Sequence, residues 1–130
     1  MRKGLLWLAV MGLTASTATA ANFTISFDWG KTPACNTGRA KTTGSPAFRV
    51  RGLPAGTDSV EFRMKDLDAP HYHHGGGKVR MSRDGTVPAG AFTYKGPCPP
   101  HEVHSYRWSA TARKGGTVLG KATATRRFPE

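Results

Sequence analysis

Acidic side chains are scarce in this chain: 8 Asp and Glu stand against 19 Lys and Arg, a formal net charge of +11. Such a balance favours anionic partners or surfaces, among them lipid headgroups, cell-wall polymers and nucleic acid. Cysteine is nearly absent, with two residues, Cys35 and Cys98, and no spaced Cys/His set that would complete a structural zinc site. Long apolar runs are missing beyond residue 13, so no transmembrane span is expected and the remainder should be soluble. Apolar stripes of helical period are missing too, which leaves an all-β architecture with little or no helix. Nothing resembles a nucleophile elbow, and the glycines at 75–77 lack the strand, lysine and helix signals of a phosphate-cradling loop.

What is present begins with a leader. Arg2 and Lys3 precede an apolar run over residues 5–13, and Ala18-Thr19-Ala20 follows. This is the pattern of a secretory signal peptide over residues 1–20, ahead of a single domain over 21–130 that is exported to the periplasm or secreted. Loss of Arg2 and Lys3 would leave 17 basic against 8 acidic residues, +9. In an exported chain, two cysteines favour a Cys35–Cys98 disulfide over buried free thiols or half of a metal site. The cations (Arg49, Arg51, Arg63, Lys65, Arg113 and Arg127 among them) are scattered through strands and turns without a dense run. They read as a solvated cationic surface, not as a dedicated nucleic-acid site.

Alternation marks the strands. Phe23, Ile25, Phe27 and Trp29 define the first, and residues 30–46, rich in Gly, Pro, Thr and Ser, read as loop. Phe48 and Val50 mark a short strand, and Val60, Phe62 and Met64 the clearest one. Its inward parity continues to Asp66 and Asp68, two carboxylates that need hydrogen bonds or a cavity unless they only cap the following turn. His71, His73 and His74 form a cluster that reads as an exposed loop able to pick up metal weakly, not as a specific metal site. Residues 78–82 can form a strand, with Asp84-Gly85 supplying a hairpin turn. Lys114-Gly115-Gly116 signals another hairpin before a last strand over residues 117–128.

Residues 94–108 organise the chain. Prolines at 97, 99 and 100 make residues 96–100 a rigid loop. The loop feeds a strand whose one parity carries His104, Tyr106, Trp108 and Ala110. An imidazole and a phenol at the mouth of a core face need partners, from the protein or from a ligand. In order, Ser45-Pro46, Gly52-Leu53-Pro54-Ala55-Gly56-Thr57, Asp66-Leu67-Asp68-Ala69-Pro70, Tyr94-Lys95-Gly96-Pro97-Cys98-Pro99-Pro100 and His104-Ser105-Tyr106 resemble the phosphatidylethanolamine-binding protein family, especially its bacterial Raf-kinase-inhibitor-like branch. The resemblance implies a small antiparallel β-sandwich with an anion-accepting pocket at one end. It places Asp66, Asp68, His73 or His74, His104 and Tyr106 at that pocket, with Pro99 and Pro100 as a wall. Departures are Leu67 where the family has proline, Ser105 where it has arginine, and glycines at 75–77 where a hydrophobic strand is expected. The segment between Pro70 and Gly96 is shorter than usual, and no C-terminal helix follows.

The reading is a non-enzymatic binding protein for a small anionic ligand or phospholipid headgroup, with no cofactor. The alternative is a protein-interaction or inhibitor module that meets a protein partner through the pocket rim and basic surface. Ser105 lies on the parity opposite to His104 and Tyr106, which disfavours a nucleophile–base pair. The sequence sets no oligomeric state.

Overall fold

A computed structural model describes Gly4 and residues 22–130; apart from Gly4, the expected signal peptide lies outside the described residues. The chain forms nine strands and, among the described residues, no helix: β1 (Thr24–Phe27), β2 (Thr42–Gly44), β3 (Phe48–Arg51), β4 (Ser59–Asp66), β5 (Gly76–Arg80), β6 (Gly85–Val87), β7 (Thr93–Lys95), β8 (His104–Lys114) and β9 (Thr117–Phe128). They pair antiparallel in three sheets, ordered β5-β4-β8-β9, β1-β3-β6 and β2-β7. The first two sheets face each other across an aromatic core, the all-β sandwich that the alternation implied.

Period-two sequence becomes a two-faced sheet. From residue 104 to 113, β8 reads buried and half-buried in alternation, and β4 buries Val60, Phe62 and Met64 from one parity. Phe48 of the smaller sheet stacks on Phe62, with ring centroids 4.4 Å apart, and meets Trp108 edge-on at 5.1 Å. Trp29, just past β1, donates its indole N–H to the Arg127 carbonyl at 2.8 Å and so ties the first strand to the last.

Three local expectations are corrected. The stretch 30–46 is not all loop: Thr42, Thr43 and Gly44 pair with Lys95, Tyr94 and Thr93 as β2. Asp84-Gly85 does not close a hairpin, because β5 pairs with β4 and β6 with β3, in different sheets. Instead Asp84 accepts the backbone N–H groups of Gly52 and Leu53, each at 2.9 Å, and closes the turn after β3. Finally, β5 runs over Gly76–Arg80, starting two residues before the strand expected over 78–82 and inside the glycine run.

That last difference has a steric cause. A Cβ on Gly76 would lie 1.8 Å from the Phe62 carbonyl oxygen, and one on Gly77 would lie 2.5 Å from the Phe92 ring. The glycines let β5 run close over β4 and the core, where a hydrophobic side chain would not fit. Gly76→Ala should therefore lower unfolding stability by about 2 kcal/mol or more. Gly116→Ala, with nothing within 4 Å of the added Cβ, should stay within about 0.5 kcal/mol. Urea unfolding of the two variants beside the parent checks both.

Cys35 and Cys98 form a disulfide, with a sequence separation of 63. Closing a loop of that length should stabilise by about 4 kcal/mol through the entropy of the unfolded chain. A thiol titration without reductant should find no reactive thiol, and reduction should shift the unfolding midpoint down accordingly.

Candidate functional site

The inward parity of β4 ends on Asp66, and that of β8 begins with His104 and Tyr106. The strands run antiparallel with Asp66 opposite Tyr106, so register alone brings the three side chains to one end of the sandwich. Asp66 is buried, 4% exposed, and fully engaged. Its Oδ1 accepts the N–H groups of Asp68 and Ala69 at 2.9 and 3.1 Å, and its Oδ2 faces His104 Nδ1 at 2.6 Å. The carboxylate thus caps the turn and also faces the cavity, the two roles that the sequence posed as alternatives. Asp68 caps no turn of its own; it is exposed and accepts the Ser105 N–H at 2.7 Å. Leu67 donates its N–H to the Ser105 carbonyl at 2.8 Å, a bond that a proline there could not make.

His104 lies between two carboxylates, since its Nε2 faces Glu102 Oε1 at 2.8 Å. Both ring nitrogens can donate only as imidazolium. Burial acts to lower its pKa, but the hydrogen bonds to Asp66 and Glu102 and their charges outweigh it and hold the group above the ordinary histidine range. His74 is the opposite case. Its Nδ1–H donates to the Lys95 carbonyl at 2.6 Å, while burial, only partly offset by that bond and by Asp66, lowers its pKa. Near neutral pH it is a neutral imidazole with Nε2 left as an acceptor. Burial pushes the Tyr106 phenol well above its usual range and the negative charge of Asp66 adds to the effect, so Tyr106 keeps its proton and donates.

These groups line a cavity of about 330 Å³ that includes Asp66, Asp68, His74, Pro100, His104 and Tyr106. Of the residues singled out in the sequence, His73 and Pro99 are not brought to it. His73 is exposed beside His74, and Pro99 is buried beneath Pro100, because consecutive residues in an extended chain point to opposite sides. The lining also holds residues that the sequence does not mark for the pocket, among them Glu102, Tyr72 and Gly38. Glu102 sits two positions before His104, outside the strand whose parity gave His104. Tyr72 packs on His74 with ring centroids 4.6 Å apart, and Gly38 lies in the loop tied down by the disulfide. That loop and the proline loop form one wall: the Thr37 N–H approaches Cys98 Sγ at 3.3 Å, and the His101 N–H donates to the Asn36 carbonyl at 3.0 Å.

Ligand atoms of Asp66, Asp68 and His104 come within 4.8 Å of one another. In this arrangement both oxygens of Asp66 accept hydrogen bonds and both nitrogens of His104 face carboxylates, so the trio's polar atoms are engaged with one another and with the turn. The wall is rich in acceptors: three carboxylates and a neutral imidazole against one imidazolium and the hydroxyls of Tyr72 and Tyr106.

No protein-family model matches the chain, and no curated protein matches it in sequence. Solved structures do. Escherichia coli YbcL, described as a new member of the mammalian phosphatidylethanolamine-binding protein family, superposes with a TM-score of 0.59 at 18% identity, over 83% of this chain and 98% of its own. A phosphatidylethanolamine-binding protein homologue from Chlamydia trachomatis, CT736, gives 0.58 at 16% identity, over 85% and 99%. The chain has the fold of these proteins, nearly over their whole length.

The two histidines should titrate apart. In an NMR pH titration the His104 midpoint should lie above the ordinary value of about 6.5 and the His74 midpoint below it. The stability that His104 contributes is full below its unfolded pKa and is lost as pH rises through its raised folded pKa; that of neutral His74 is lost as pH falls below the unfolded value. Replacement of His104 by Ala should abolish the high-pH loss, and coincident midpoints would contradict the assignment.

Proposed function

We propose that the protein is an exported, non-enzymatic binding protein whose end-of-sandwich pocket takes a small phosphate-bearing headgroup, as a divergent phosphatidylethanolamine-binding protein. The observation that carries this reading is the convergence of Asp66, His74, His104 and Tyr106 on one cavity of about 330 Å³ in that fold. Export is supported by the leader pattern and by the disulfide, which persists in oxidising compartments. Binding is favoured over catalysis because Ser105 sits on the outward parity, away from both imidazoles, so the pocket assembles no nucleophile–base pair.

The charge of the wall refines the ligand. No Lys or Arg lines the cavity, while Asp68 and Glu102 present carboxylates to it. A bare anion would find few free donors there, namely the Tyr106 and Tyr72 hydroxyls, since both N–H groups of the His104 imidazolium already meet Asp66 and Glu102. A zwitterion can place its phosphate on those donors and its ammonium on Asp68 and Glu102. Phosphorylethanolamine should therefore bind more tightly than inorganic phosphate.

An NMR titration with both compounds tests this. Amide and ring signals of Asp66, His74, His104 and Tyr106 should shift together, and Tyr106→Phe should weaken phosphorylethanolamine binding by about fivefold, one hydrogen bond. Salt-sensitive shifts spread over Lys and Arg signals and unchanged in Tyr106→Phe would sink the pocket reading, and the protein-interaction module would then lead.

A further inference from the structure

The four-stranded sheet has a second face, away from the core. Antiparallel register places directly opposed residues on the same side of a sheet. Outward from β4 point Arg63 and Lys65, and from β5 Lys78 and Arg80. Outward from β8 point Arg107 and Arg113, and from β9 Lys121 and Arg127. That is two cations on each of four strands, eight in all, though they lie scattered over some sixty positions of sequence (63 to 127). Between them stand short hydroxyl residues such as Ser109, Thr111, Thr123 and Thr125. Glu61 is the one carboxylate those strands turn outward, and its contact with Arg63 at 3.6 Å is the only ion pair on the face among the described residues.

Charge of this density opposes folding. Lys65 and Arg107 sit directly opposite each other across the β4–β8 ladder, a like-charge pair of the kind that destabilises a sheet. Strands β4 and β8 could satisfy their inward duties with any polar residue at those outward positions. The arrangement makes physical sense when an anionic plane covers it.

We infer that the outer face of the β5-β4-β8-β9 sheet is a docking surface for an anionic lipid bilayer. Three features select the bilayer among polyanions. The face is broad, with cations on all four strands, so its long side chains can reach a plane from several strands together, whereas a nucleic-acid cylinder would meet fewer of them. It carries no aromatic side chain on which a base could stack. At its pocket end it is edged by exposed apolar side chains: Leu67, 39% exposed, follows the outward parity of β4 past Lys65, and Val103, 43% exposed, precedes β8 on the outward parity of Ser105. Basic charge with a few apolar groups at one rim is the chemistry of electrostatic membrane attachment with shallow insertion. The inference does not rest on the pocket's ligand; if both hold, the docked face brings the headgroup pocket beside the bilayer.

Vesicle sedimentation tests it, with the mature protein at low salt. It should bind vesicles of phosphatidylglycerol and phosphatidylcholine, ignore pure phosphatidylcholine, and be released by high salt. A basic residue near such a surface changes partitioning by about fivefold. A face variant carrying Lys65→Gln, Arg107→Gln, Lys121→Gln and Arg127→Gln should therefore lose at least about a hundredfold. A control of equal net charge, with Lys41→Gln, Arg49→Gln, Arg51→Gln and Lys95→Gln off the face, should lose far less. Equal losses would mean that net charge alone binds, and would overturn the docking face; so would failure of the parent to bind anionic vesicles, or stronger binding to double-stranded DNA at the same salt. Should the face variant not fold, spin-labelled lipid added to the unaltered protein decides: signals of Lys65, Arg107 and Thr123 should broaden, and broadening confined to β1 and β3 would refute the assignment. The face variant should keep the phosphorylethanolamine-induced shifts of Asp66, His104 and Tyr106, which separates a failure here from a failure of the pocket reading.

Discussion

The pocket end of this protein depends on one buried carboxylate. Removing Asp66 from water is unfavourable unless its lone pairs find donors, and the chain supplies three: two turn N–H groups on one oxygen and the His104 imidazole on the other. Those bonds join the end of β4, the turn that follows it and the start of β8. The same charge then sets the protonation of its neighbours. With Glu102 it outweighs burial and holds His104 as imidazolium, and it adds to burial in opposing ionisation of Tyr106, so both groups keep their protons.

Around that centre the cavity has a floor and a wall of different kinds. The floor is made of strand ends, held by ladder bonds and by an aromatic core in which Phe48, Phe62 and Trp108 pack at ring distances of 4.4–5.1 Å. The wall is loop, without a ladder of its own. It is stiffened by prolines, by the Cys35–Cys98 bridge, and by contacts such as the close fit of Gly38 against Pro100, where an added Cβ would lie 3.3 Å from the ring. Loops carrying a site lose entropy on ordering; here the bridge and the proline rings remove much of that freedom beforehand.

Strand parity explains what could be read from the sequence. Alternation along residues 60–66 and 104–110 was enough to place Asp66, His104 and Tyr106 on the core side, because the period of two leaves little choice. Loops carry no such period, so His74 could not be told from His73, nor Pro100 from Pro99, although one residue of shift reverses the direction of the side chain. Glu102 was hidden for the same reason. The strand start at Gly76 was hidden by a close approach to Phe62, a tertiary fact with no local signature. Asp84 looked like a hairpin turn because Asp-Gly often is one; its carboxylate instead serves Gly52 and Leu53, some thirty positions earlier.

The cationic face shows a further limit of local reading. Arg63, Lys65 and Arg107 announce an outward direction by parity, but only the pairing of β4 with β8, and of β8 with β9, sets them side by side. Because neighbours in a strand take opposite faces, β8 builds both surfaces at once: His104 and Tyr106 serve the pocket, while Arg107 serves the outer face. A slip of one residue in this register would carry the imidazole and the phenol outward and drive the cations into an aromatic core, at a large desolvation cost. The one irregularity in the β8–β9 ladder lies at Ala112/Arg113, at the far end from the pocket. The extra residue on β9 is thus absorbed away from the cavity, and the pocket end keeps an unbroken ladder from His104 to Ala112.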